Sequence, residues 1–289
     1  LGSDKITGIF AVENPNFNNT DKSINFSVLA NETDKLKNFG YKSKKVGSSI
    51  GTDFEFLDDL RLGLTTSTFF EDISTSSTAS ARQKKQKGSY FDTYLKFDVN
   101  YDKRNQKYKT NDGYLSIYSV DLPVISDTNT LTNFYNYKVF SELYENNISS
   151  FSLSLSSANS LTDDDVKLSE RLYVPQRKLR GFVSGKIGPK DGSDYIGGNY
   201  YSIMNINSTL PQVLPNSQDI EVGTFIDIAN LWGVDDDTLD NGSKIRSSFG
   251  IGVDWYTPVG PLSFSLAQPI TKSSTDKTET FRFNLGTTF

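Results

Sequence analysis

The feature that most constrains this chain is a strict alternation of apolar and polar residues. In 90–102, Phe91, Thr93, Leu95, Phe97, Val99 and Tyr101 fall on one side, and Asp92, Tyr94, Lys96, Asp98, Asn100 and Asp102 on the other. A period of two marks a strand with two unlike faces, because successive side chains of a pleated backbone point to opposite sides. The pattern returns in 148–158, where Phe151, Leu153 and Leu155 oppose Ser150, Ser152, Ser154 and Ser156. It returns again where Phe249, Ile251, Val253 and Trp255 oppose Ser248, Gly250, Gly252 and Asp254. No apolar run approaches the ~18–20 residues of a membrane-spanning helix. The mean hydropathy of −0.45 would suit a soluble protein. A transmembrane β-barrel has the same average polarity, because only alternate residues meet lipid. The chain therefore cannot be a helical membrane protein, and alternation alone leaves a soluble sandwich and a transmembrane barrel open.

Strands are expected at 6–13, 22–33, 43–57, 60–72, 90–102, 112–122, 134–145, 148–158, 197–208, 219–229, 244–257, 260–270 and 278–289, thirteen in all, with no convincing helix. Asn14-Pro15-Asn16 and Asp58-Asp59 carry turn chemistry. Connections after 57, 145 and 257 read as short, and those after 72 and 158 as long. Segregated short turns and long loops are the habit of an outer-membrane barrel. Gly250 and Gly252, on the polar parity, would relieve crowding inside a closed barrel. Residues 73–89, Ser/Thr-rich and then basic, read as a mobile, solvated loop. Asp163-Asp164-Asp165 and Asp235-Asp236-Asp237 lack the glycine and spacing of a calcium loop and read as solvated tips.

Composition narrows the chemistry. The 289 residues include no cysteine and no histidine. Disulfides, zinc-thiolate sites, imidazole ligands and the Ser-His-Asp triad are thereby closed. The net charge of −5 offers no basic surface for nucleic acid. Aromatic residues make up 13%, which suits strands and interfacial girdles. Leu1-Gly2-Ser3-Asp4 has neither the basic head nor the apolar centre of a signal peptide.

The longest stretch without alternation is 159–196, and the glycine-rich segment from Arg177 to Asn199 overlaps it and carries Leu179-Arg180-Gly181-Phe182. This stretch reads as a loop lying inside the barrel wall. From Arg171 to Phe289 the chain carries, in order, that tetrapeptide, Ile187-Gly188-Pro189-Lys190-Asp191, Gly197-Gly198-Asn199, Phe225-Ile226-Asp227 with Trp232, and Ile245-Arg246 with Gly250-Ile251-Gly252. Pro258-Val259-Gly260-Pro261-Leu262, Ala267-Gln268-Pro269 and Phe281-Arg282-Phe283-Asn284-Leu285-Gly286 follow, before the closing Phe289. In this ordered set the chain resembles the outer-membrane assembly factors of the bacterial surface-antigen barrel superfamily. The first 170 residues match only in strand rhythm and in Asn14-Pro15-Asn16-Phe17.

The resemblance implies an all-β, transmembrane, antiparallel up-and-down barrel of about sixteen strands in the bacterial outer membrane. It implies that residues 1–289 are the C-terminal barrel domain, without roughly three first strands and the periplasmic POTRA domains, and that 159–196 folds into the lumen. Arg180 would then contact Asp227 on the inner wall, with Asn207 standing where the family usually has a second glutamate. The last strand, with Phe281, Phe283, Leu285, Gly286 and Phe289, would form a lateral seam with the first, where an incoming strand can add. The implied function is insertion of β-barrel proteins, without a cofactor and without enzymatic turnover. The implied partners are unfolded outer-membrane barrel proteins, accessory lipoproteins, and outer-membrane lipid and lipopolysaccharide. A sibling transporter in two-partner secretion or autotransporter assembly is the first alternative, and a passive porin-like barrel the second.

Overall fold

The computed structural model describes residues 5–285 except 108, 212, 215–218, 236–238, 240–242 and 259, with backbone alone at 37–38. Fifteen strands run in chain order as β1 (Lys5–Asn14), β2 (Ser23–Lys35), β3 (Tyr41–Leu57), β4 (Leu60–Thr75), β5 (Gly88–Asp102), β6 (Gly113–Ser126), β7 (Thr130–Ser141), β8 (Ser149–Ser160), β9 (Lys190–Asp191), β10 (Asp194–Tyr195), β11 (Tyr200–Thr209), β12 (Ile220–Trp232), β13 (Arg246–Thr257), β14 (Gly260–Thr271) and β15 (Phe281–Leu285). All but β9 and β10 form one thirteen-stranded antiparallel meander, in which β8 pairs directly with β11. The loop between them, 161–199, holds the small β9–β10 hairpin. With an odd number of strands, β1 and β15 run in the same direction. An all-antiparallel closure takes an even number.

The exposure pattern decides between the two β classes. Phe97, Phe70, Ile125, Ile226, Phe249, Ile251 and Leu266 are exposed, while Asp92, Asp227 and Ser248, of opposite parity on the strands of Phe97, Ile226 and Phe249, are buried, as are Ser119, Ser154 and Asn205. A soluble sandwich would bury the first set and wet the second. A transmembrane barrel does the reverse, with an apolar outer band around a polar interior. No described helix is long and apolar enough to cross a membrane. The spanning elements are strands.

Five sequence expectations change. Two short α-helices stand among the described residues, α1 (Leu36–Phe39) and α2 (Ala81–Lys85). The loop around α2 is packed rather than solvated. Ser80 and Gln83 form a capping box, and the buried Gln83 side chain donates to the Phe39 carbonyl at 3.0 Å. β7 begins at Thr130 and ends at Ser141, earlier than alternation implied, because the tight turn before it uses Asn129 at φ +42°. Two of the expected tip aspartates are engaged. Asp165 accepts a two-point contact from Arg82, and Asp235 accepts from Arg171 and Asn199. Asp236 and Asp237 lie outside the described residues. Turn lengths segregate only in part, since the three-residue turn between β6 and β7 lies at the end that carries 161–199.

The lipid-facing assignment is testable by substitution. Phe97→Arg should destabilise the folded protein in lipid vesicles by about 2–4 kcal/mol if its ring sits near the bilayer midplane. Asp98→Asn, on the lumen side of the same strand, should cost within about 1 kcal/mol. Reversible denaturant unfolding in vesicles reads both.

Candidate functional site

The segment 161–199 is built to enter the lumen. Pro175 starts a single 3-10 turn over Gln176–Lys178, and Leu179 then runs extended at φ −145°. Leu179 and Phe182 are buried in a cluster with Val174, Ile187, Tyr201, Ile203, Ala229 and Leu231. The last four belong to β11 and β12, so apolar packing lays the loop against that wall. This placement aims Arg180, between the two apolar anchors, along the inner face. Gly181 adopts φ +89°, and a Cβ there would press on Ala267 and Ser248 at 3.2 and 3.3 Å. Only glycine lets the loop come this close.

Arg180 grips Asp227 at three points. Its Nε donates to Oδ2 at 2.7 Å and its Nη2 to Oδ1 at 2.6 Å, while the backbone N–H of Arg180 donates to Oδ2 at 2.9 Å. Asp227 is fully buried. Asn205 also donates to its Oδ1 at 2.8 Å and to the Lys178 carbonyl at 2.8 Å. Asn207 accepts from Arg180 Nη2 at 2.8 Å, so the asparagine supplies a neutral acceptor in reach of the same guanidinium. The guanidinium carbon stands 3.5 Å from the centre of the Phe225 ring. Gly250 makes room for that ring, since a Cβ there would meet Phe225 at 2.6 Å. At Gly252 a Cβ would meet the Phe264 carbonyl oxygen at an ordinary 3.9 Å, and crowding does not explain it. Ser248 Oγ completes the site by donating to the Arg180 carbonyl at 2.5 Å.

Sequence reasoning missed a second clamp. Lys167, buried at the start of the loop, reaches Asp92 Oδ2 at 2.6 Å, Glu71 Oε2 at 3.0 Å and Glu170 Oε1 at 3.0 Å. Ser43, Ser169, Ser126 and Tyr94 donate to these carboxylates. Burial pushes the Lys167 ammonium down, but Glu170, Glu71 and Asp92 outweigh it and hold it above the ordinary lysine range. Its stabilising contribution is therefore complete below the unfolded lysine pKa and would be lost only as pH rises through the still higher folded value. The available signal was modest: Asp92 and Glu71 lie on the polar parity of their strands, and Lys167 and Glu170 are spaced i, i+3. Arg180 thus ties the loop to β12, and Lys167 ties it to β4 and β5. The sheet must curl around the loop for both to hold.

The described part of the expected seam is β15. It pairs over Phe281–Leu285 with Leu262–Leu266 of β14. Phe281, Phe283 and Leu285 are exposed, and Arg282 between them is buried. Gly286 and Phe289 lie outside the described residues. No group of acidic side chains among the described residues is arranged to hold a metal.

The Omp85 superfamily domain matches residues 2–289. This chain belongs to the Omp85 superfamily. The family likeness therefore extends through the first 170 residues, where the motifs showed little beyond strand rhythm. Outer membrane protein assembly factor BamA of Neorickettsia risticii is 25% identical over 271 residues, which is 91% of this chain and 36% of that protein. BamA of Neisseria meningitidis serogroup B is 29% identical over 143 residues, 38% of this chain and 17% of that protein. The chain spans well under half the length of these Omp85 relatives. Among solved structures, BamA from Haemophilus ducreyi lacking POTRA domains 1–3 matches with a TM-score of 0.85 at 21% identity, over 97% of this chain and 61% of that one. CdiB from Acinetobacter baumannii matches at 0.61 and 10%, over 97% and 50%. At such identities both speak for the Omp85 barrel fold alone.

Three substitutions separate the clamps of this Omp85 barrel. Lys167→Met leaves the buried Glu71 and Asp92 and the partly buried Glu170 without their cation and should cost about 3–5 kcal/mol. Arg180→Lys keeps a charge but not the planar fork, and should cost less than Arg180→Ala. Unfolding in denaturant, read by near-ultraviolet circular dichroism, ranks the three variants.

Proposed function

We propose that this chain is the barrel of an assembly factor that inserts and folds β-barrel proteins in the bacterial outer membrane. The observation that carries this reading is the likeness, over 91% of the chain, to a protein named as such a factor. The clamped lumen loop supports it over a passive porin, because Leu179 to Phe182 and their partners fill space a diffusion channel would keep open. The proposed clients are unfolded outer-membrane barrel proteins, with accessory lipoproteins as helpers and surrounding lipid and lipopolysaccharide as the medium. No cofactor and no enzymatic turnover are invoked.

The proposed mechanism uses β15 as one side of a lateral seam. It pairs over Phe281–Leu285 with β14 and stands last in the sheet order among the described residues. An edge strand presents N–H and C=O groups that a client strand can pair with. The loop, held by Arg180, would keep the wall beside that edge in shape while strands exchange. A secretion sibling is the second reading, because the barrel fold alone does not separate the two.

The test uses the full-length protein in proteoliposomes with a labelled client barrel. Arg180→Ala should slow client insertion by roughly tenfold, which ~1.4 kcal/mol of lost preorganisation produces. Exchanging Arg180 and Asp227 should recover only part of the rate, because the backbone N–H of residue 180 also bonds the carboxylate. Wild-type insertion by Arg180→Ala would remove the role given to the clamp. A wild-type protein that secretes a partner passenger and inserts no client would favour the sibling reading.

A further inference from the structure

The lumen loop has a third hold, and it comes from the last strand. Arg282 of β15 points inward from between Phe281 and Phe283 and is buried. Its Nη2 donates to the Phe182 carbonyl and its Nη1 to the Gln176 carbonyl. Its Nε donates to Glu279 Oε1 at 2.5 Å, which neutralises the charge locally. The two carbonyls flank Leu179 to Gly181, so one guanidinium of β15 brackets the tetrapeptide that Arg180 fastens to β12.

The approach to β15 is joined to the same tetrapeptide through backbone. Glu279 N–H donates to the Gly181 carbonyl at 3.1 Å, and Val183 N–H donates to the Lys277 carbonyl at 2.9 Å. Lys277 N–H donates to the Lys186 carbonyl at 3.1 Å, and Phe182 bridges Thr278. The segment 277–279 is therefore a short ladder on the loop, and β15 continues directly from it. Moving β15 away from the lumen would strip hydrogen bonds from Gln176, Gly181 and Phe182 together. Gly181 and Phe182 are buried, and their carbonyls left without donors resist that motion.

We propose that Arg282 is a positioning residue that couples the last strand to the lumen loop, so that release of β15 and loosening of 176–183 occur as one event. This rests on the reading of β15 as the seam strand. It goes further in naming the contact that holds the strand from inside. Linkage makes the coupling reciprocal: what loosens the loop at Arg180 also loosens β15.

Amide hydrogen exchange of the full-length protein in lipid nanodiscs tests it. Arg282→Gln should speed exchange of 281–285 and of 177–183 together, each by about tenfold, as expected when a buried charged donor is lost. Exchange in 200–209 should not change. Arg180→Ala should also speed exchange in 281–285, although its side chain holds β12 and not β15. The proposal is overturned if 281–285 exchanges as in wild type in Arg282→Gln. It is equally overturned if 281–285 speeds up alone while 177–183 does not. Should Arg282→Gln fail to give a heat-modifiable folded barrel, Arg282→Lys is read by the same criteria, since an ammonium keeps the charge and cannot fork to both carbonyls. Client insertion is assayed separately. Coupled exchange in a protein that inserts no client would sink the functional reading and leave the coupling standing.

Discussion

A fully buried carboxylate has to be neutralised where it stands, and in this protein the carboxylate is Asp227. Removing a charge from water costs several kcal/mol, recovered only when a partner of opposite sign and good geometry is close. The barrel wall does not supply that partner. Arg180 does, from a loop that enters the lumen, with its side chain and its backbone N–H both on the same acid. The dependence runs outward from there. Phe225 lies under the guanidinium, Gly250 leaves room for Phe225, and Gly181 lets the loop approach β13 and β14. Each would be an unremarkable strand or loop residue without the ion pair.

The interior of this barrel is organised by charge more than by apolar burial, because the outer face already presents its apolar side chains to lipid. Three basic residues fasten the loop to different walls: Lys167 to β4 and β5, Arg180 to β12, and Arg282 from β15. A small apolar cluster around Leu179 and Phe182 supports the middle hold. In a sheet that is a single meander, neighbouring strands are stitched by backbone hydrogen bonds, but distant strands are not. The loop links β4 and β5 with β12 and β15. It acts as a strut across the curl of the sheet.

Much of this was legible beforehand, for identifiable reasons. Alternation located all thirteen strands of the sheet, because burial on one face with lipid on the other writes a period of two into the chain. Its boundaries failed at β7, where Asn129 tightens the turn, and at α2, where a capping box orders a polar segment that composition alone describes as loop. The Arg180 to Asp227 contact could be named only through a resemblance, since no spacing rule joins residues so far apart. Lys167 carried no motif at all. Its partners Glu71, Asp92 and Glu170 come from two strands and the loop, and only a curled sheet brings them within 3.0 Å.

The sequence by itself determined that this chain would be an antiparallel β meander with one long glycine-rich interruption. Side-chain direction along a strand is a local property, set by backbone geometry over two residues, and it survives in the order of residues. Which face meets lipid was not local. Phe97 outward with Asp92 inward, or the reverse, satisfies the same alternation, and the choice depends on what fills the space the sheet encloses. Tertiary structure made that choice by filling the space with a loop whose lysine and arginines require acids facing inward. Electrostatic pairing across the lumen is long-range in sequence and short-range in space, so it exists only once the chain has folded.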